Sequence, residues 1–187
     1  MIKTIVKDVF FLGQKSTEAT KEDLYLAKDL RDTLEFHKDT CVGMAANMIG
    51  VKKRVIIVNI GFVNLVMFNP VLVSKSSSFQ TEESCLSLEG SRPTRRYESI
   101  EVAYLDERWM PKQLSFSGMP SQIIQHELDH LEGVIIYLAW FRKCLILDFE
   151  TSIRIVMGVR VETKNFYLTL FLVLIGTFFL DNSSYKN

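Results

Sequence analysis

After Thr20 the apolar residues Leu24, Ala27, Leu30 and Leu34 recur every three or four positions, a stripe that predicts a helix over residues 21–37. Thr20 and Asp23 supply a starting box, and Arg31, which falls inside the stripe, can pack its stem while its head reaches water. The period then changes. Residues 54–60 form a continuous apolar run and predict a buried strand, 65–73 predict a second one interrupted at Asn69-Pro70, and 100–104 alternate as a third. A second helix follows Pro120, with Ile123 and Ile124 on its apolar face and Gly133 as its stop. Helices mixed with mainly antiparallel strands make an α+β fold.

The last part of the chain reads differently. Residues 166–180 are apolar apart from Tyr167, Thr169, Gly176 and Thr177, and they are bounded by Lys164, Asn165, Asp181 and Asn182. As a helix this run would span about 22 Å against a hydrocarbon core of about 30 Å. It is short for a membrane span, so membrane contact is not favoured. A short anchor, an apolar element covering the core and a dimer contact all fit the pattern.

Composition changes the picture little. The 187 residues are 48% hydrophobic, enough for one sizeable domain, and 22 basic residues offset 22 acidic ones, so nothing argues for direct reading of nucleic acid. Three cysteines without a secreted-type framework point to a reducing compartment. Met1-Ile2-Lys3 begins no long apolar core or cleavage site, and the cytoplasm is the expected location.

Candidate chemistry lies on the second helix, in Gln125-His126-Glu127-Leu128-Asp129-His130. Spacing of four stacks His126 and His130 on one face, where two neutral imidazoles can bind a divalent metal and Glu127 can exchange a proton with a metal-bound water. Ordinary buried histidines would match the same short pattern, so the reading needs a third ligand. Cys41 and Cys144 lie in apolar surroundings and read as small buried hydrophobes. Cys85, at the end of a polar run in Glu83-Ser84-Cys85-Leu86-Ser87, can complete a Cys-His-His set.

Three segments in order resemble the peptide deformylases. Cys41-Val42-Gly43-Met44-Ala45-Ala46-Asn47-Met48 is similar to the family's glycine-x-glycine-leucine-alanine-alanine-x-glutamine motif, Glu83 to Ser87 to glutamate-glycine-cysteine-leucine-serine, and Gln125 to His130 to glutamine-histidine-glutamate-x-x-histidine. The resemblance covers 1–136, expected to be the catalytic domain, and leaves 137–187 as a C-terminal extension. It implies mainly antiparallel sheets packed around a central metal-binding helix. It also implies a hydrolase that removes the formyl group from formyl-methionyl nascent chains at the ribosome, releasing formate, as a step of N-terminal processing in protein biosynthesis.

By the same resemblance Cys85, His126 and His130 hold one divalent metal, with Fe(II) expected and Zn or Ni able to replace it. Glu127 is the general acid and base, and the Leu86 backbone amide helps hold the developing oxyanion. Val42 and Gly43 pair with the substrate backbone as an added strand. Met119 and Ile123 line a pocket for the substrate methionine or simply pack in the core. Arg92 contacts the substrate or is a solvated member of the cluster Arg92, Arg95 and Arg96. Glu83 and Gln125 orient ligands or are exposed.

Two departures stand out. Met48 occupies the place of the family's glutamine and cannot donate a hydrogen bond, a loss worth about a hundredfold to a thousandfold in turnover. Adjacent residues point in different directions, so Asn47 is not expected to replace it. Ser84 and Cys41 replace glycines and would narrow or shift the site. A catalytically impaired relative that still binds metal or peptide N-termini is therefore the alternative to an active deformylase.

Overall fold

Apolar and polar strands alike join one antiparallel sheet, ordered as in the sequence: β1 (Gly43–Ala45), β2 (Val55–Asn59), β3 (Asn64–Cys85), β4 (Leu88–Leu105) and β5 (Pro111–Ser117). The structure, a computed structural model, describes residues 1–134, all within one compact unit, Met1–Arg142. Expectations for Cys144, for the 137–187 extension and for its apolar run lie outside the described residues. Among the described residues no helix is long and apolar enough to cross a membrane.

Val55, Ile56, Ile57 and Val58 are all fully buried, which is why β2 reads as a continuous apolar run and not as an alternation. Two helices, α2 (Tyr25–Phe36) and α3 (Met119–Leu131), both pack against it. A shorter α1 (Val9–Leu12) precedes them, capped by the Asp8 carboxylate, which accepts from the backbone N–H groups of Phe10 and Phe11. The helix expected over 21–37 opens as a 3-10 turn at Lys21–Leu24, where the Asp23 carboxylate accepts from Thr20 N at 2.7 Å. Of its stripe, Ala27, Leu30 and Leu34 are buried and Leu24 is half-buried, Leu26 joins the buried face, and the Arg31 head pairs with Glu107 at the surface.

The strand expected to end at residue 73 does not end there. At Asn69-Pro70 the register slips, Asn69 takes a φ of 50°, and its side-chain amide grips both backbone groups of Ala19. The interruption is a bulge, the place where a residue without an N–H is tolerated inside a sheet. Beyond it β3 runs on through the serine-rich residues 74–80, paired with β4, which begins well before the expected 100–104, at Leu88. Serine side chains there are solvated, and backbone pairing holds the strand. Among the described residues the expected antiparallel strands form one sheet.

The β3–β4 hairpin turns at Leu86-Ser87, immediately after Cys85. Later in the chain α3 has Pro120 in its first turn and stops before Gly133, which takes a φ of 69°. A side chain there would also strike Gly13 O at 2.5 Å. Because α3 packs on β1, β2, β4 and β5, its His-Glu-x-x-His face is delivered to the end of the hairpin where Cys85 sits.

Candidate active site

One turn of α3 separates His126 from His130, and their rings meet edge to face with centroids 5.0 Å apart. Cys85 Sγ lies 3.2 Å from His130 Nε2, and one ligand atom from each of Cys85, His126 and His130 falls within 4.8 Å of the others. A thiol and two imidazoles so gathered are a donor set that a divalent cation with nitrogen and sulfur preference takes.

The polar groups behind this trio are paired. His126 Nδ1 lies 3.0 Å from Glu83 Oε2, which leaves Nε2 as the ring's other donor atom. Glu83 is in turn gripped by Arg96, with Nε donating at 2.8 Å and Nη2 at 2.7 Å, and Arg96 Nη1 donates to Asp129 at 2.6 Å. Burial pushes the Glu83 carboxyl up, but the bonds from Arg96 and His126 hold it down at about 2. Burial also lowers His126, yet the Cys85 thiol and Glu83 carboxylate raise it to about 10. His130 is pushed down to about 3 by burial and by the charges of His126 and Arg96.

Glu127 contrasts with Glu83. It is 3% exposed, its Oε2 has no hydrogen-bond partner, and burial pushes it up to about 7. It lines a cavity of about 320 Å³ together with Cys85, His126, Leu86, Met48 and Ile123. Gly43 shuts the side of this space: a Cβ there would lie 2.5 Å from Ile123 Cγ2 and 2.8 Å from Glu127 Oε1. Glycine at this position is a requirement of close approach.

Gly43 belongs to β1, which among the described residues pairs only with β2 and so presents a free edge there. Asn59 N donates to Val42 O, so by the alternation of an antiparallel ladder Gly43 O and Ala45 N point away from β2. Both meet sulfur: the Cys41 thiol donates to Gly43 O at 2.8 Å, and Ala45 N donates to Met48 Sδ at 3.5 Å. Sulfur partners are weak, which leaves the edge open to replacement by a peptide strand. Cys41 packs against the core as a half-buried hydrophobe, and its thiol, pushed up to about 12 by burial, also lines the cavity.

The other expected positions divide. Met48 is buried and lines the cavity, while Asn47 turns away to donate to His130 O at 2.7 Å. Leu86 and Ile123 lie on the cavity wall, as does Met119. Arg92 sits near the hairpin turn, donates to Ser91 O at 2.7 Å and is not among the lining residues. Gln125 holds no site group: its amide accepts from Tyr97 N at 2.9 Å and donates to Tyr97 O at 2.8 Å, fastening α3 to β4 as a strand would. Arg96, read with its neighbours as solvated, is 5% exposed, and its grip on Glu83 and Asp129 was missed. The only sequence signal was the crowd of acids at Glu83, Glu127 and Asp129, which calls for a cation.

The family model for polypeptide deformylase matches residues 3–143. A peptide deformylase of Clostridium beijerinckii is 57% identical over 136 residues, 73% of this chain and 100% of that protein. One of Aquifex aeolicus is 34% identical over 82% of this chain and 98% of its own length. Among solved structures, the class I type b peptide deformylase of Acinetobacter baumannii is similar in its Met-Ala-Ser-bound form, with a TM-score of 0.67 and 28% identity over 74% of this chain and 99% of that one. Its actinonin-bound form gives a TM-score of 0.68 at 30% identity, over 74% of this chain and 97% of that one.

Proposed function

The chain belongs to the polypeptide deformylase family, and from that membership we propose that its site hydrolyses the formyl group from formyl-methionyl peptides, releasing formate and a free N-terminus. The observation that carries this reading is a buried carboxylate with an unpartnered oxygen, Glu127, facing a cavity beside a Cys-His-His donor set. Relatives named peptide deformylases at 57% and 34% identity favour an active enzyme over a retired one.

Cys85, His126 and His130 would hold one divalent cation, for which we propose ferrous iron, with zinc or nickel as replacements. When bound, the cation supplies an activated water and polarises the formyl carbonyl. Everything else falls to the chain. Glu127 takes a proton at its unpartnered Oε2 and passes it to the departing amine. Glu83, clamped by Arg96, fixes the tautomer and direction of the His126 ring. The Leu86 backbone amide faces the developing oxyanion at the hairpin turn. Gly43 pairs with the substrate backbone along the free edge of β1, Val42, whose carbonyl is taken by Asn59 N, stands beside it on the cavity wall, and Ile123 with Met119 forms the apolar wall for the substrate side chain. Arg92, near the hairpin turn, is assigned to the peptide beyond its first residue. We further propose that 1–136 is the catalytic domain, and that the substrates are nascent chains met at the ribosome in the cytoplasm.

The test is formate release from formyl-Met-Ala-Ser by anaerobically purified, iron-loaded protein, with Glu127→Ala as control and metal content measured on the same sample. Release that depends on Glu127 is expected. Fully metallated protein that releases none overturns the reading.

A further inference from the structure

Along the stretch of cavity wall that α3 supplies, Met119 and Ile123 are apolar, and His126 and Glu127 belong to the reacting end. Gln122 is the exception. It is half-buried, and its Nε2 donates to Thr81 Oγ1 at 3.5 Å, the outer limit of hydrogen bonding. The neighbouring amide of Gln125 behaves otherwise, held at 2.8 to 3.1 Å by Tyr97 and Ser121. An amide held this loosely at a cavity wall can turn to a ligand at little cost.

The side chain of the formylated residue leaves its Cα next to the bond being cut, so it enters the cavity beside His126 and Glu127. Helical spacing puts Gln122 about one turn, roughly 5.4 Å, back along that same face. We infer that Gln122 is a specificity-determining residue, donating its side-chain N–H to the sulfur of the formylated methionine. The inference rests on the deformylase reading above.

Its consequence is a sign. A thioether is a weak, polarizable acceptor, whereas norleucine has the same shape and no acceptor at all. Against a wholly apolar wall norleucine binds at least as well as methionine, because it is the more apolar of the two. Against an amide the order inverts, since norleucine strips water from Gln122 and returns no hydrogen bond.

The experiment compares kcat/KM for formyl-Met-Ala-Ser and formyl-norleucine-Ala-Ser on the full, iron-loaded chain. Wild type is expected to prefer methionine by about threefold to tenfold, the range of one net hydrogen bond. Gln122→Leu brings the ratio to one or below, and Thr81→Val, which removes the competing acceptor, keeps it at the wild-type value or higher. A wild-type ratio of one or less, a Gln122→Leu ratio equal to wild type, or a Thr81→Val ratio of one each overturns the inference. If wild type releases no formate from either peptide, the deformylase reading fails separately. The Kd ratio of norleucine-Ala-Ser to Met-Ala-Ser, measured by calorimetry on the same proteins, then decides the role of Gln122 by the same signs.

Discussion

Two glutamates in this site are almost equally buried, Glu83 at 7% exposure and Glu127 at 3%, and they have opposite surroundings. Glu83 accepts two bonds from Arg96 and shares a third with His126, so the low-dielectric interior strengthens its interactions. Glu127 has an oxygen with no partner, so the same interior penalises its charge. A fold selected only for stability would not keep the second arrangement. The site therefore has a braced side, where hairpin and helix are tied through Arg96, Glu83, His126 and Asp129. It also has an open side, where Glu127 faces the cavity with an oxygen left for an incoming group.

The sharpest way to break that contrast is to remove one carboxylate and then the brace of the other. Glu127→Gln keeps the shape and removes the proton carrier, so formate release is expected to fall by about 10²–10⁴-fold. Urea unfolding of the same variant should stay within about 1 kcal/mol of wild type, because no native partner is lost. A collapse in stability would move Glu127 to the braced side. Arg96→Leu does the reverse: it leaves Glu83 buried without its cation, at an expected cost of about 3–5 kcal/mol in urea unfolding at pH 7. A loss under about 1 kcal/mol would show that Glu83 is braced by His126 alone.

The open side was far more legible in the sequence than the braced one, for a physical reason. His126, Glu127 and His130 lie on one helix, and helical spacing alone puts them on one face. β2 was legible too, since burial on both faces writes itself as an apolar run. Arg96 reaches Glu83 only through pairing across the β3–β4 hairpin, and the register of that hairpin is set by the bulges at Asn69-Pro70, at Leu72/Ser74 and at Ser84/Cys85. A one-residue slip would turn Arg96 to the other face. Nothing in the serine-rich run at 74–80 announces the pairing, because backbone groups and not side chains make it. Gln122 escaped for a similar reason, as its contact with Thr81 joins α3 to β3.

Gly43 is where the open side touches the sheet, and it carries the next largest effect. In Gly43→Ala the new methyl would sit against Ile123 Cγ2 and Glu127 Oε1, so either the helix moves or Glu127 gives way. Overpacking of this kind costs about 1–3 kcal/mol. Both unfolding free energy and kcat are expected to drop, with the peptide-binding contribution to KM affected as well. A variant of unchanged stability and turnover would mean that Glu127 has slack, which contradicts an unpartnered oxygen held in place by packing alone.

Met48 is the residue whose side of the comparison is undecided, and Met48→Gln assigns it. The thioether is buried and accepts only a long bond from Ala45 N, while the same side chain lines the cavity. Glutamine is close in length, its carbonyl is a better acceptor for Ala45 N than sulfur, and its amide adds a donor toward the reacting oxygen. Removing such a donor from an adapted site costs about 10²–10³-fold. Restoring it among neighbours packed around a thioether recovers less, so kcat is expected to rise about tenfold with unfolding stability within about 1 kcal/mol. That outcome puts position 48 on the open side. Unchanged kcat with higher stability would put it on the braced side, with the oxyanion held by backbone amides such as that of Leu86.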